Sequence, residues 1–555
     1  MKLVVDLTRC QGYGQCAYFA PDVFQMRGRE VLMDNPDPDD AERERVLRAA
    51  AACPVQAIRV DRIARRSVLR TPTKAAANIP LQRTAHGLLA AGLEAFRRSG
   101  RIVIVGASLA GVTAAAVMRR DGFAGSLTMI GDEPYQPYDR PPLSKHVFEG
   151  LIPADGTELP NADLDLQWML GAPAVALDMV DKSVQLADGS TVEFDRLLIA
   201  TGTRSRPWPN EAEAALDGVF VLRSRDDAAG VRQALDGKPR RVLVIGAGFT
   251  GSEVASACRD RGIEVTVAER GPAPLAGALG EVIGNVAADM QRANGVDLRT
   301  GVTVTALEGD DRSRLRRAFL SDGSVIEADL AVVALGAIRN SEWLRGSGLA
   351  VGKWGVACDA GCRAFDINGV TTDHVFVAGD VARFPHPLYD YQFVALEHWG
   401  NAVTQAEIAA HNMVTGPGAR WPHLATPVFW SSQFGVNIKS VGVPTYADQF
   451  MVAQGSVPDR KFVGAYGWRG RMTAAVAFDD GMWLEFYQNL IETAHPFPPE
   501  FQAFGEPLDE TVDGTTSRRP VPVGVPAQVR DLQATVVVTG HDPGERRAEL
   551  LYHDR

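Results

Sequence analysis

Two short stretches constrain this 555-residue chain more than anything else in it, each a run of branched apolar residues that ends in a glycine turn. Arg101-Ile102-Val103-Ile104-Val105 runs into Gly106-Ala107-Ser108-Leu109-Ala110-Gly111. About 140 residues later Arg241-Val242-Leu243-Val244-Ile245 runs into Gly246-Ala247-Gly248-Phe249-Thr250-Gly251. Glycines there allow a tight turn and let backbone N–H groups approach a pyrophosphate at the start of the following helix. The second stretch is a complete G-x-G-x-x-G. In the first, Ser108 replaces the middle glycine, so that loop alone is ambiguous, and its helix is expected to begin near Val112. Two such units in one chain predict an α/β, Rossmann-like fold with two dinucleotide sites.

The acids downstream of each turn sharpen the reading. The strand after the first turn ends in Gly131-Asp132-Glu133, where Glu133 can accept from a ribose hydroxyl. Glu269 ends the strand 18 residues after Gly251. A carboxylate there bonds the adenosine hydroxyls and repels a 2′-phosphate, which favours NADH over NADPH. Arg270, next door, keeps NADPH open as the second choice.

Cys10, Cys16 and Cys53-Pro54 form the other constellation, written C-Q-G-Y-G-Q-C and then C-P. Thiolates on a glycine-rich loop can wrap a cluster that a distant cysteine closes from the other side. Three thiolates match a 3Fe-4S cluster; a 4Fe-4S cluster with Tyr13 or hydroxide as fourth ligand stays open. Cys258 is expected to pack inside a helix, and Cys358 and Cys362 to sit in a turn. None of the ten histidines has an H-E-x-x-H spacing.

Composition removes other classes. A formal net charge of −11 argues against nucleic acid as a partner. No apolar run approaches the roughly 20 residues a membrane span needs. The first residues do not read as a signal peptide, and six cysteines are too few for a disulfide scaffold, so a cytoplasmic location is expected.

The expected organisation is a compact unit over 1–60 and a basic linker over 61–98, with a helix near the linker's end. A discontinuous first dinucleotide-binding domain over 99–215 and 330–416 encloses a second over 216–329. An α+β domain follows over 417–493, then a Pro-rich extension over 494–555. Eight of the 33 prolines fall from His495 onward, although Ala534 to Val538 could form a strand.

Residues 1–60 resemble the small bacterial-type 3Fe-4S ferredoxins of actinobacteria that feed haem-thiolate monooxygenases. The resemblance rests on the cysteine spacing, Ala20-Pro21-Asp22-Val23-Phe24 and Ala52-Cys53-Pro54. The rest resembles FAD-dependent NAD(P)H ferredoxin reductases of the putidaredoxin reductase type, within the pyridine nucleotide-disulfide oxidoreductase superfamily. That likeness rests on Tyr138-Asp139-Arg140-Pro141-Pro142-Leu143-Ser144-Lys145, Ala200-Thr201-Gly202, Val377-Ala378-Gly379-Asp380, Leu396-Glu397-His398-Trp399-Gly400-Asn401-Ala402 and Phe429-Trp430-Ser431-Ser432-Gln433-Phe434-Gly435. The fold implied is an α+β ferredoxin-like domain, then a glutathione-reductase-type flavoprotein with two dinucleotide-binding domains and a C-terminal α+β domain.

The resemblance also implies roles. Gly106, Ser108, Leu109, Ala110 and Gly111 with Glu133, Arg140 and Lys145 would hold the adenosine, pyrophosphate and flavin of FAD. Ala200, Thr201 and Gly202 with Gly379 and Asp380 would complete that site, Asp380 on the ribityl hydroxyls. Glu397, His398 and Trp399 would cap the flavin. Gly246, Gly248, Phe249, Thr250, Gly251 and Glu269 would hold NADH. Glu253 would lie near the nicotinamide and pair with Lys145, so Lys145, Glu253 and Trp399 are the catalytic candidates. The C-terminal domain would dock the ferredoxin.

The expected activity is electron transfer from NADH through FAD and the cluster of Cys10, Cys16 and Cys53 to an external oxygenase, a cytochrome P450 ahead of a Rieske dioxygenase. A slow NADH-sensing flavoprotein is the alternative from another class. A disulfide reductase is disfavoured because neither Val112–Arg120 nor Glu133–Lys145 contains a cysteine.

Overall fold

The computed structural model describes residues 3–5, 15–27, 30–33, 39–53, 58–60, 91–150, 152–159, 164–499, 511–512, 515–516 and 534–552. Leu3–Val5 forms a strand paired antiparallel with Ile58–Val60. Cys10, Tyr13, Pro54 and residues 61–90 lie outside the described residues. Helices Gln15–Phe19 and Arg43–Ala52 share a small core of Cys16, Ala20, Val23, Phe24, Val46 and Ala49, against which Cys53 packs.

Strands buried on both faces read as continuous branched runs and belong in parallel sheets. Arg101–Val105 buries everything but its first residue. Its sheet runs Arg363–Phe365, Thr371–Val377, Arg196–Ile199, Arg101–Val105, Ser126–Ile130, Gln167–Met169, parallel except at the first, edge pair. Thr371–Val377 comes from beyond the second nucleotide unit, so the first unit is built from two separated pieces of chain.

The second sheet is wholly parallel, in the order Val219–Val221, Leu330–Val333, Arg241–Ile245, Glu264–Glu269, Asp297–Thr300. Leu330–Val333, all four residues buried, completes this sheet and not the first, so the boundary expected at 330 falls after Val333.

Two further boundaries move. The helix after the first turn begins at Leu109, not near Val112, because Ser108 already stands extended as its N-cap. Residues 91–99 form a helix that packs on the first unit. Phe96 lies 5.4 Å from Phe123, centroid to centroid, and the Arg196 guanidinium sits 4.2 Å from the Phe96 ring. That stretch therefore belongs to the body and not to the linker.

The C-terminal domain is a five-stranded antiparallel sheet, ordered Val428–Gln433, Val436–Gly442, Arg471–Phe478, Lys461–Trp468, Gln449–Ser456, with helix Leu484–Glu492. Far along the Pro-rich extension, Ala534–Thr539 and Arg547–Tyr552 pair as an antiparallel hairpin. No helix among the described residues is long and apolar enough to cross a membrane.

Candidate functional site

Both glycine turns lie at the carboxyl ends of central parallel strands, where open α/β sheets bind ligands. Gly106 has φ 126°, and a Cβ there would stand 2.1 Å from the Ala200 carbonyl oxygen. Only glycine lets that turn lie against Ala200-Thr201-Gly202. Gly251 is equally constrained: a Cβ would meet the Gly246 carbonyl oxygen at 2.0 Å. Helices Leu109–Arg120 and Phe249–Asp260 start on Ser108 and Gly248 with no side-chain cap. Their first-turn N–H groups thus face the cavities beside them with the positive end of the helix dipole.

Ser108, Leu109, Ala110, Arg140, Lys145, Ala200, Gly202, Gly379, Asp380, Glu397 and Trp399 line the first cavity. Gly106, Gly111, Thr201 and Glu133 are not part of its lining. The Glu133 carboxylate accepts from Tyr138 Oη at 2.5 Å and Arg140 Nη2 at 2.6 Å, and Tyr138 and Arg140 line the cavity. Burial pushes the Tyr138 phenol well up, so it stays a donor. Thr201 is held from behind, donating to the Asn340 carbonyl at 2.6 Å while its own carbonyl accepts from Asn340 Nδ2 at 2.9 Å.

Glu253 is the best-anchored charge in the site. It projects from the helix of the second unit into the first cavity and is 6% exposed. Lys145 Nζ lies 2.8 Å from its Oε2, Ser144 Oγ donates to the same oxygen at 2.6 Å, and Ser431 Oγ donates to Oε1 at 2.6 Å. A buried carboxylate is tolerated only when paired and hydrogen-bonded, and here the first unit and the C-terminal domain supply the partners.

Asp380 accepts from Arg223 Nη2 at 2.9 Å and Thr203 Oγ1 at 3.3 Å. Trp399 opens helix Trp399–Val414, is 39% exposed, and donates from its indole to Asp139 at 2.9 Å. Glu397 pairs with Arg339 at 2.8 Å. Burial holds the His398 imidazole down to about 4, so it is neutral at physiological pH.

A second cavity is lined by Gly248, Phe249, Thr250, Gly251, Arg339, Trp354, His398 and Tyr446. Gly246 and Glu269 are not part of its lining. Glu269 Oε2 accepts from Ala247 N at 2.7 Å and Oε1 from Gly271 N at 2.5 Å, which fixes a negative charge at the end of its strand. Leu222, Arg223, Phe249, Thr250, Glu397 and Phe429 line both cavities, and the Phe249 and Phe429 rings are 4.0 Å apart, centroid to centroid. The two cavities meet at this aromatic wall.

These features fit FAD in the first cavity and a nicotinamide dinucleotide in the second. Each has glycine-only backbone beside an uncapped helix start for a pyrophosphate. His398 Nδ1, a buried polar atom of the second cavity's lining, also stands unpartnered.

Of the cluster ligands expected, Cys16 and Cys53 face one small core, and Cys10 lies outside the described residues. Cys258 is fully buried, its thiol pushed up to about 12 by burial. Cys358 and Cys362 are also fully buried, with thiols well above the ordinary value, which suits packing. Reading the sequence missed Arg223 and Arg339, which carry no local motif, and gave Asp139, inside a recognised run, no role. Ser144, Ser431 and Phe429 lay inside recognised runs without an assigned role.

Comparison with known proteins agrees with this geometry. The family model "Pyridine nucleotide-disulphide oxidoreductase" matches residues 100–406. "4Fe-4S single cluster domain of Ferredoxin I" matches 5–60 and "Reductase C-terminal" matches 428–508. The chain is 34% identical over 388 residues to the probable ferredoxin reductase CtmF of Castellaniella defragrans, covering 68% of this chain and 90% of that protein. It is 34% identical over 345 residues to the ferredoxin--NAD(+) reductase component of the p-cumate 2,3-dioxygenase system of Pseudomonas putida, covering 62% of this chain and 81% of the relative. The covalent putidaredoxin reductase–putidaredoxin complex superposes with a TM-score of 0.66 at 29% identity, over 71% of this chain and 93% of that one.

Proposed function

Since the chain belongs to the pyridine nucleotide-disulphide oxidoreductase family, as an FAD-dependent ferredoxin–NAD(+) oxidoreductase, we propose that it carries its own acceptor and passes electrons from NADH through FAD to the cluster of its N-terminal domain. From there they go to an external oxygenase. The observation that carries this reading is the aromatic wall between the two cavities, with the Lys145–Glu253 pair on the FAD side of it.

When bound, a flavin takes two electrons as hydride from NADH and gives them up singly, which an iron-sulfur acceptor requires. Each NADH oxidised therefore reduces two one-electron acceptors and releases one proton. The residues do the positioning. The turns at Gly106 and Gly246 seat the pyrophosphates. Arg223 and Thr203 aim Asp380 at the ribityl chain. Asp139 holds Trp399 over the cavity mouth. Glu253, fixed by Ser144 and Ser431, keeps the Lys145 ammonium oriented toward the flavin. Phe249 and Phe429 exclude water where the rings meet.

Glu269 favours NADH, since its anchored charge opposes a 2′-phosphate. Cys10, Cys16 and Cys53 hold a 3Fe-4S cluster, because Tyr13 replaces the fourth thiolate. The acceptor is a cytochrome P450, following the ferredoxin resemblance. A Rieske dioxygenase is the second reading, supported by the dioxygenase system of the Pseudomonas putida relative.

Anaerobic titration with NADH tests the relay. Flavin absorbance near 450 nm and the low-temperature EPR signal of the oxidised cluster should fall together. A flavin that bleaches while the cluster stays oxidised refutes it.

A further inference from the structure

The C-terminal hairpin lies beyond the stretch that matches the reductase C-terminal family, which ends at 508. Nothing in the proposed relay uses it. Its inner face is nonetheless apolar and covered: Ala534, Val536 and Val538 are at most 3% exposed. Val536 belongs to a separate small cluster with Ala52 and Tyr391, against which Phe19, Ala548 and Leu550 pack. Three remote parts of the chain thus meet there: the N-terminal domain, the reductase and the hairpin. On the reductase side the hairpin is anchored by a half-buried ion pair between Arg546 and Glu492.

Tyr391 is presented by a turn of costly geometry. Asp390 and Tyr391 have φ 51° and 53°, two consecutive left-handed residues without glycine. Such backbone persists only where the surroundings over-determine it, and it concentrates at functional positions. Here Asp390 is clamped by Arg469 at 2.9 Å and by the fully buried Arg471 at 2.8 Å. The turn is a preformed pedestal for the Tyr391 ring.

The N-terminal domain meets that pedestal through residues that neighbour two of its cysteines in sequence. Phe19 meets Tyr391 edge-on, centroids 4.9 Å apart at 88°. The Gln15 side chain hydrogen-bonds the Tyr391 phenol, and Tyr18 feels the charges of Asp390, Arg471 and Arg469. Gln15 and Phe19 flank Cys16 on one helix, and Ala52 precedes Cys53. From Tyr391 the strand Gln392–Val394 leads directly to Phe393 and Glu397 on the wall of the second cavity.

We propose that the hairpin Ala534–Tyr552 is a latch that holds the chain's own ferredoxin domain on the Asp390–Tyr391 turn, through the residues next to Cys16 and Cys53. The occupant of this surface is the helix pair Gln15–Phe19 and Arg43–Ala52 of the same chain and not a separate ferredoxin. The latch rests on the reading that the N-terminal domain accepts electrons from the flavin, and the test separates the two.

The test compares full-length holoprotein with Val536→Asp, which places a charge in the three-way cluster, and with Tyr391→Ala, which removes the pedestal ring and leaves the hairpin intact. Amide hydrogen exchange should show the 15–19 and 49–52 segments losing protection by about tenfold or more in both variants. Flavin bleaching by NADH should keep its wild-type rate, while cluster reduction slows by about tenfold or more as the domain leaves its seat. Wild-type exchange and wild-type cluster reduction in both variants would overturn the latch. So would looser exchange with an unchanged cluster rate, since the contact would then hold without serving transfer. A wild-type protein whose cluster NADH never reduces would count against the relay, while the exchange data would still report on the latch.

Discussion

At the scale of single residues, the Glu253 cluster is where a small change should have the largest effect. Glu253→Gln keeps an oxygen for one serine and takes away the counter-charge of Lys145, leaving an ammonium 18% exposed without a partner. Breaking a buried pair from one side costs about 3 kcal/mol or more. We expect a lower thermal midpoint and flavin reduction by NADH at least about tenfold slower in stopped flow. Adding Lys145→Met should recover much of the stability and none of the rate, which separates folding from orientation. Glu269→Ala frees the amides of Ala247 and Gly271 and removes the charge opposing a 2′-phosphate. The NADH-to-NADPH ratio of kcat/KM should then fall by about tenfold or more, against a loss of one to two orders typical of a charge pair. Lys145, Glu253 and Glu269 could all be picked out from the sequence because each follows a glycine turn or a family run at fixed spacing. Ser431 as a Glu253 partner could not, because 178 residues separate them and only the docking of the C-terminal sheet brings them together.

At the scale of elements, the two βα units were legible because period, length and turn chemistry all point the same way. The strand Leu330–Val333 was not assigned correctly, since a buried four-residue run suits either sheet and its partner is chosen by tertiary pairing. The turns themselves make a sharp prediction. Gly251→Ala pushes a methyl to 2.0 Å from a backbone oxygen, so the helix must move away from its strand. We expect a loss of about 1–3 kcal/mol from overpacking, together with a raised KM for NADH and unchanged FAD content. Gly106→Ala should do the reverse, lowering the flavin-to-protein absorbance ratio of the purified protein. The strand Ala382–His386 and its surroundings carry a different prediction. Burial holds His386 at about 4 and His423 at about 3, and His398 likewise at about 4. An unfolded imidazole titrates near 6.5, so between about pH 6.5 and 4 the unfolded chain takes up protons that the folded chain refuses. Stability present above pH 6.5 is therefore lost as pH falls, by about 3 kcal/mol for each of His386 and His398 near pH 4. Thermal midpoints should decline steeply across that window, and His386→Asn should flatten the slope.

At the scale of the whole molecule, the proposed relay puts donor and acceptor in one chain. The stretch joining them, residues 61–90, lies outside the described residues. Covalent linkage itself raises the effective concentration of a partner domain, to about a millimolar for a short linker. Seating on the Tyr391 turn raises the fraction of time spent docked above what the tether alone gives. Separate reductases and ferredoxins must collide before each electron moves, so their rate rises with concentration and falls with salt. For this chain the rate constant for cluster reduction after NADH mixing should be first order and unchanged over a tenfold range of protein concentration. It should fall little between low and high salt, because the seat is largely apolar: Phe19, Ala52, Val536 and Leu550 around one tyrosine. A rate that scales with protein concentration would mean that electrons pass between chains. The fusion would then serve co-delivery of the two domains and not transfer within one molecule.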